Sequence, residues 1–181
     1  MISDEVMELQ KLFYQTHDYT TDAEKKDRIL VLGIGNYLMG DEGVGVHAIH
    51  ALSKVDLPDK VDLLDGGTGS FDLMPIIAQY KTVFFIDATM DARNPGTIDV
   101  IYPEFAADFP KVLSAHDVGL KDMIDALEFN EELPNIILLT VSIKELSPMT
   151  IELSEPVQNS ISNLVIRVKK ILETHLNNNF E

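Results

Sequence analysis

Ile29-Leu30-Val31-Leu32-Gly33-Ile34-Gly35-Asn36, followed shortly by Gly40-Asp41-Glu42-Gly43-Val44-Gly45-Val46, is the stretch that decides the fold. A continuous apolar run ending in glycine fits a strand buried on both faces, as in a parallel sheet. The glycines then form a turn into a helix whose apolar stripe is Val46, Ile49 and Leu52. Val61-Asp62-Leu63-Leu64-Asp65 and Thr82-Val83-Phe84-Phe85-Ile86-Asp87 repeat the strand design, each closing on an aspartate, and residues 135–141 supply a fourth buried strand. Helical patterns lie between them, at Leu73, Ile76 and Ile77 and at Val118, Met123, Ile124 and Leu127. Alternating strands and helices imply an α/β domain, a mostly parallel sheet with helices on both faces. Residues 96–101 follow Asn94-Pro95-Gly96 soon after Asp87, which predicts one antiparallel strand as a hairpin partner of the Thr82 strand.

Outward from this core, residues 1–28 are acidic and polar and read as an extension outside the domain, with Val6, Leu9 and Phe13 at helical spacing. From Ser154 a long closing helix keeps an apolar face at Val157, Ile161, Leu164, Val168 and Leu172, with Ser154 as N-cap and Pro156 in its first turn. The domain is expected over 29–176, with 177–181 a loose tail. The chain of 181 residues is the size of one domain, and its thirty acidic against fourteen basic residues give a net charge of −16. That charge repels phosphate backbones and anionic lipid, so nucleic acid is not an expected partner. With no cysteine there is no disulfide, no thiolate nucleophile and no sulfur-ligated metal. The opening residues lack a secretory pattern and nothing is long and apolar enough to cross a bilayer, so a cytoplasmic address is expected, and the ordinary size and high charge lead to the expectation of a monomer.

The glycine-rich turn is not a nucleotide loop. A dinucleotide fingerprint would require glycine at Leu38, and a phosphate loop would need Lys and Ser or Thr where Asp41 and Glu42 stand. The turn offers carboxylates instead, at the strand end where open α/β sheets gather their ligands, and Asp65 and Asp87 end two further strands. Each aspartate alone reads as a turn or helix cap; their coincidence points to a shared crevice. Ser114-Ala115-His116-Asp117 has capping-box spacing and opens a helix, where the dipole favours a neutral imidazole able to bind metal. His47 and His50 fall off the apolar stripe of their helix and are expected to face solvent. No Gly-x-Ser-x-Gly elbow and no His-Glu-x-x-His helix is present, which leaves a metal-assisted hydrolase. Glu42, Asp87 and His116 would make an oxygen-rich open ligand set, with no means of ranking nickel, zinc or manganese.

In this order and spacing, Gly33-x-Gly35-Asn36, Asp41-Glu42-Gly43-x-Gly45-Val46, Asp65-Gly66-Gly67-Thr68, Ile86-Asp87-Ala88, Pro95-Gly96-Thr97 and Ser114-x-His116-x-x-Gly119-Leu120 resemble the [NiFe] hydrogenase maturation endopeptidase family over roughly 29–155. The resemblance implies a three-layer αβα sandwich with a twisted five-stranded sheet. It also implies removal of the C-terminal tail from a hydrogenase large-subunit precursor already loaded with nickel, the nickel belonging to the substrate. The family's three metal-binding positions fall on Glu42, Asp87 and His116. The acidic extension precedes the usual family start, and residues 142–148 keep only its loose outline. A noncatalytic nickel-checking chaperone of the same large subunit is the alternative function; a nucleotide-binding module of the same architecture is a weaker one.

Overall fold

The computed structural model describes residues 25–103, 117–129 and 133–178. Strands β1 (Ile29–Ile34), β2 (Val61–Gly67), β3 (Thr82–Thr89), β4 (Ile98–Ile101) and β5 (Asn135–Ser142) form one sheet in the order β2-β1-β3-β5-β4. The first three and β5 are mutually parallel, and β4 runs antiparallel along β5. β4 is therefore antiparallel as expected but does not pair with β3. Both edges of β3 are taken by β1 and β5, so the incoming strand is left the outer side of β5. The aspartate-closed runs also extend further than read: β2 continues to Gly67 and β3 to Thr89.

Helix α1 (Val44–Leu52) follows a short 3-10 turn at Gly40–Gly43; α2 (Met74–Ile77), α3 (Asp117–Phe129) and α4 (Glu155–Asn178) complete the described helices. Side chains of a strand alternate between faces, so each strand feeds two cores. Ile29, Val31, Phe84, Ile86 and Leu139 pack with Ala48 and Ile49 of α1 and with Val157, Leu164 and Val168 of α4. Leu30, Leu32, Val83, Phe85 and Leu138 pack on the opposite side with Ile77 of α2 and Met123, Ile124 and Leu127 of α3. Helices cover both faces, giving the three layers. α4 runs to Asn178, two residues into the stretch read as tail.

Two glycines let α1 lie directly on the sheet. A Cβ on Gly33 would strike the carbonyl oxygen of Gly45, and a Cβ on Gly45 would strike those of Ile34 and Ile86. Strand and helix backbones touch here with no side chain between them, which fixes the start of α1 against the carboxyl ends of β1 and β3. At the other end of the sheet, the Arg28 guanidinium donates to both Asp62 carboxylate oxygens at 2.8 and 2.6 Å, and Tyr80 donates to the same group at 2.9 Å.

His47 and His50 do not face solvent as expected. Tyr37 from the glycine-rich turn stacks on His47 with ring centroids 4.8 Å apart and meets His50 edge-on at 6.0 Å, and His47 Nε2 lies 3.0 Å from the Ile151 carbonyl. The helical wheel missed this because it locates the core side of α1 and cannot show a loop folding over its other side. His50 is 22% exposed, and burial, helped by His47 and Lys54, lowers its pKa from 6.5 to about 4.

Gly45→Ala should cost about 3 kcal/mol in urea unfolding, because neither carbonyl wall can retreat without breaking the sheet. A neutral His50 stabilises the fold fully above pH 6.5, and that contribution is lost as pH falls toward 4; its ceiling is about 3 kcal/mol. His50→Gln should therefore flatten the loss of stability across that window, and an unchanged slope in acid unfolding curves would overturn the reading.

Candidate active site

Glu42 lies in the 3-10 turn that leaves the β1 loop and is wholly buried, at 0% exposure. The contact of Gly45 with the carbonyls of Ile34 and Ile86 sets this turn at the carboxyl ends of the two central strands. Asp87 follows Ile86 directly and is 1% exposed; its Oδ1 accepts the Ala88 backbone N–H at 2.7 Å. Glu42 and Asp87 thus arrive from different elements at one end of the sheet, and Thr140, paired with Asp87 across β5, is a buried polar neighbour. Removing a carboxylate from water costs several kcal/mol unless partners compensate. Two such groups at a sheet's ligand-gathering end mark a functional site more than a structural one.

The other carboxylates play different parts. Asp41 accepts the Ser154 backbone N–H and the Ser154 hydroxyl, both at 2.7 Å, and so pins the glycine-rich turn to the start of α4. Ser154 does occupy the cap position, since its carbonyl accepts the Gln158 N–H at 2.8 Å, and the Asp41 charge sits favourably beside the positive end of the helix dipole. A second tie comes from residues 147–150: Gly40 N–H donates to the Thr150 carbonyl at 2.7 Å, and Thr150 N–H donates to Leu38 at 3.2 Å. Nothing in the sequence of that segment signals this role, because a backbone pairing between remote loops leaves no side-chain pattern.

Asp65 behaves as a turn aspartate. Its Oδ1 accepts the Gly67 N–H at 2.9 Å, while Gly67 accepts the Gly35 N–H at 2.8 Å, linking the β2 turn to the glycine-rich one. Burial raises the Asp65 pKa against the opposing pull of that Gly67 N–H, and His50 Nε2 stands 4.0 Å from its other oxygen. Asp65 therefore supports the loop architecture, and Glu42 and Asp87 remain the candidate pair.

His116 and its Ser114 lie outside the described residues. Among the described residues no three His, Asp or Glu side chains come close enough to hold a metal ion. Glu42 and Asp87 fit such an ion as hard oxygen donors, and a third ligand must come from elsewhere.

Residues 46–171 match the sequence model of the HycI family, described as hydrogenase maturation protease. Asp87 and His116 fall within this stretch and Glu42 just before it. The chain is 40% identical over 121 residues to the hydrogenase 2 maturation protease of Escherichia coli (strain K12), covering 65% of this chain and 74% of that protein. It is 36% identical over 115 residues to the hydrogenase expression/formation protein HupD of Rhizobium leguminosarum bv. viciae, covering 62% of this chain and 57% of HupD. The fold superposes on the E. coli hydrogenase maturating endopeptidase HybD with a TM-score of 0.72 at 35% identity, over 82% of this chain and 93% of HybD. A [NiFe] hydrogenase maturation protease, HybD from Thermococcus kodakarensis, gives 0.67 at 27% identity, over 80% and 99%. The chain belongs to the hydrogenase maturation protease family and is an endopeptidase of that family.

Proposed function

We propose that this endopeptidase removes the C-terminal extension of a [NiFe] hydrogenase large-subunit precursor once nickel has been inserted, and that Glu42, Asp87 and His116 together read the metal. The observation that carries the reading is the pair of carboxylates, Glu42 and Asp87, 0% and 1% exposed at the carboxyl end of an apolar sheet. Strand alternation supports the third member. Phe84, Ile86 and Ala88 pack toward α1 and α4, whereas Val83 and Phe85 pack toward α3, the face to which Asp87 belongs by the same period. His116 immediately precedes Asp117, the first residue of α3. That helix ends six residues before the amino end of β5, so it enters from the carboxyl end of the sheet, where Glu42 and Asp87 lie.

Nickel is part of the substrate in this reading. Two carboxylates and an imidazole without any thiolate hold a metal weakly alone, yet can add to one already gripped by the precursor. Held there, the metal supplies Lewis-acid polarisation of the scissile carbonyl or of the attacking water. The chain's own groups orient the tail, exclude bulk water through the tight packing around Glu42, and relay a proton through a carboxylate. A precursor without nickel would fail to complete the site, so cleavage would wait for loading. We place the reaction in the cytoplasm with the enzyme a monomer; no helix among the described residues is long and apolar enough to cross a membrane.

Intact-mass measurement of nickel-loaded and nickel-free precursor, incubated with the enzyme, should show tail loss from the loaded form alone. Binding of the loaded form without any mass change would overturn the proposal. Glu42→Gln, Asp87→Asn and His116→Ala should each lower the cleavage rate by about 100-fold or more, and the first two, which keep the side chain's shape, should leave the thermal midpoint near or above that of the parent. A fully active His116→Ala enzyme would remove that residue from the trio. Asp41→Ala should behave oppositely, costing about 2 kcal/mol through two lost charge-assisted hydrogen bonds and slowing cleavage only through a loosened turn.

A further inference from the structure

The described end of the sheet opposite the carboxylates is cationic. Two cavities of about 670 and 600 Å³ adjoin there, sharing Asn135 and His175 in their walls. Six of the fourteen Lys and Arg residues of a chain with net charge −16 line them: Lys26, Arg28, Lys60, Lys81, Arg167 and Lys170; among the described lining residues Asp27, 3.8 Å from Lys81, is the one acid, and Arg28 is paired with Asp62 behind the wall. Such a concentration is unexpected, because scattered charges would be the default on a strongly acidic surface. The floor of the larger cavity is apolar, built from Val100, Ile137 and Ile171, with Tyr102 63% exposed at its rim. It also lies on open sheet edge: β4 pairs only with Leu138–Val141, so among the described strands nothing flanks residues 135–137 of β5 on that side.

We propose that this trough is the seat of the chain's own acidic N-terminal arm, residues 1–24. The arm carries Asp4, Glu5, Glu8, Asp18, Asp22 and Glu24 against one basic residue, Lys11, so its charge complements the trough. It joins the described chain at Lys25, next to the trough residue Lys26, so even its last few residues reach the cavities without a loop to close. A tethered segment meets its site at an effective concentration in the millimolar range, enough for modest charge and apolar complementarity to hold it. Phe13, Tyr14 and Tyr19 are the arm's aromatic side chains, suited to the floor. The seat lies at the amino ends of the strands, so an arm held there leaves the carboxyl-end site open to substrate.

Lysine acetylation rates, read by mass spectrometry on the full-length protein, test this. In the parent chain at low salt, Lys26, Lys60, Lys81 and Lys170 should react about threefold or more slowly than in a full-length Asp18→Asn, Asp22→Asn, Glu24→Gln variant, and high salt should erase the difference. Lys144, exposed and just past the carboxyl end of β5, serves as the internal control and should react alike in both proteins. Equal rates at low salt in parent and variant would overturn the proposal, as would protection that persists in the variant or scales with protein concentration, since a second copy would then be the occupant. A shift confined to Lys26 would also overturn it, marking an effect of neighbouring sequence alone.

Discussion

The contact between the backbones of Gly33 and Gly45 is the constraint on which the remaining architecture depends. A helix normally stands about 10 Å from a sheet because side chains fill the gap. Here two missing Cβ atoms let the first turn of α1 descend until carbonyl oxygens of β1 and β3 meet it. The 3-10 turn just before α1 is drawn down with it, and Glu42 enters a depth that a polar side chain would otherwise avoid. The acid is held by the geometry of the chain around it, since Gly43 and Gly45 bracket the position.

Around that contact the structure separates support from chemistry. Asp41, adjacent to Glu42, is spent on Ser154. Asp65 closes its own turn on Gly67 and, through Gly67, reaches Gly35. These two carboxylates hold two loops and a helix start in register. Asp87 differs by lying inside a strand whose eight residues are all buried, paired with Thr140 of β5 one residue past the last pairing with β1. Rigid placement of this kind is what a site needs when its task is to recognise geometry before committing to an irreversible step.

Much of this was legible in the sequence because it rests on local chemistry. The apolar runs announced four parallel strands, the failed match to nucleotide fingerprints at Leu38 and Asp41 turned attention to carboxylates, and the glycine spacing marked the tight turn. What was not legible depended on partners distant in the chain. Residues 96–101 look like a hairpin arm to β3, and only the demand of β5 for the same edge sends them to the far side of the sheet. His47 and His50 sit on the polar side of α1 by periodicity, and Tyr37 folding over them leaves them half-buried. Asp41 and Glu42 are neighbours of like charge in sequence, and nothing local says that one will clamp a helix more than a hundred residues away while the other is buried at the site.

The Asp41 to Ser154 clamp joins positions 113 residues apart. In a chain made from its amino end, the glycine-rich turn is synthesised early, yet its anchor belongs to the last helix. The loop that carries Glu42 therefore lacks this anchor through most of synthesis, held only by Gly67 and by the sheet beneath Gly45, and gains it when α4 docks. Contacts of such long sequence separation form late in folding. The turn beside the buried Glu42 is thus the part of the fold fastened last, by a residue of its closing helix.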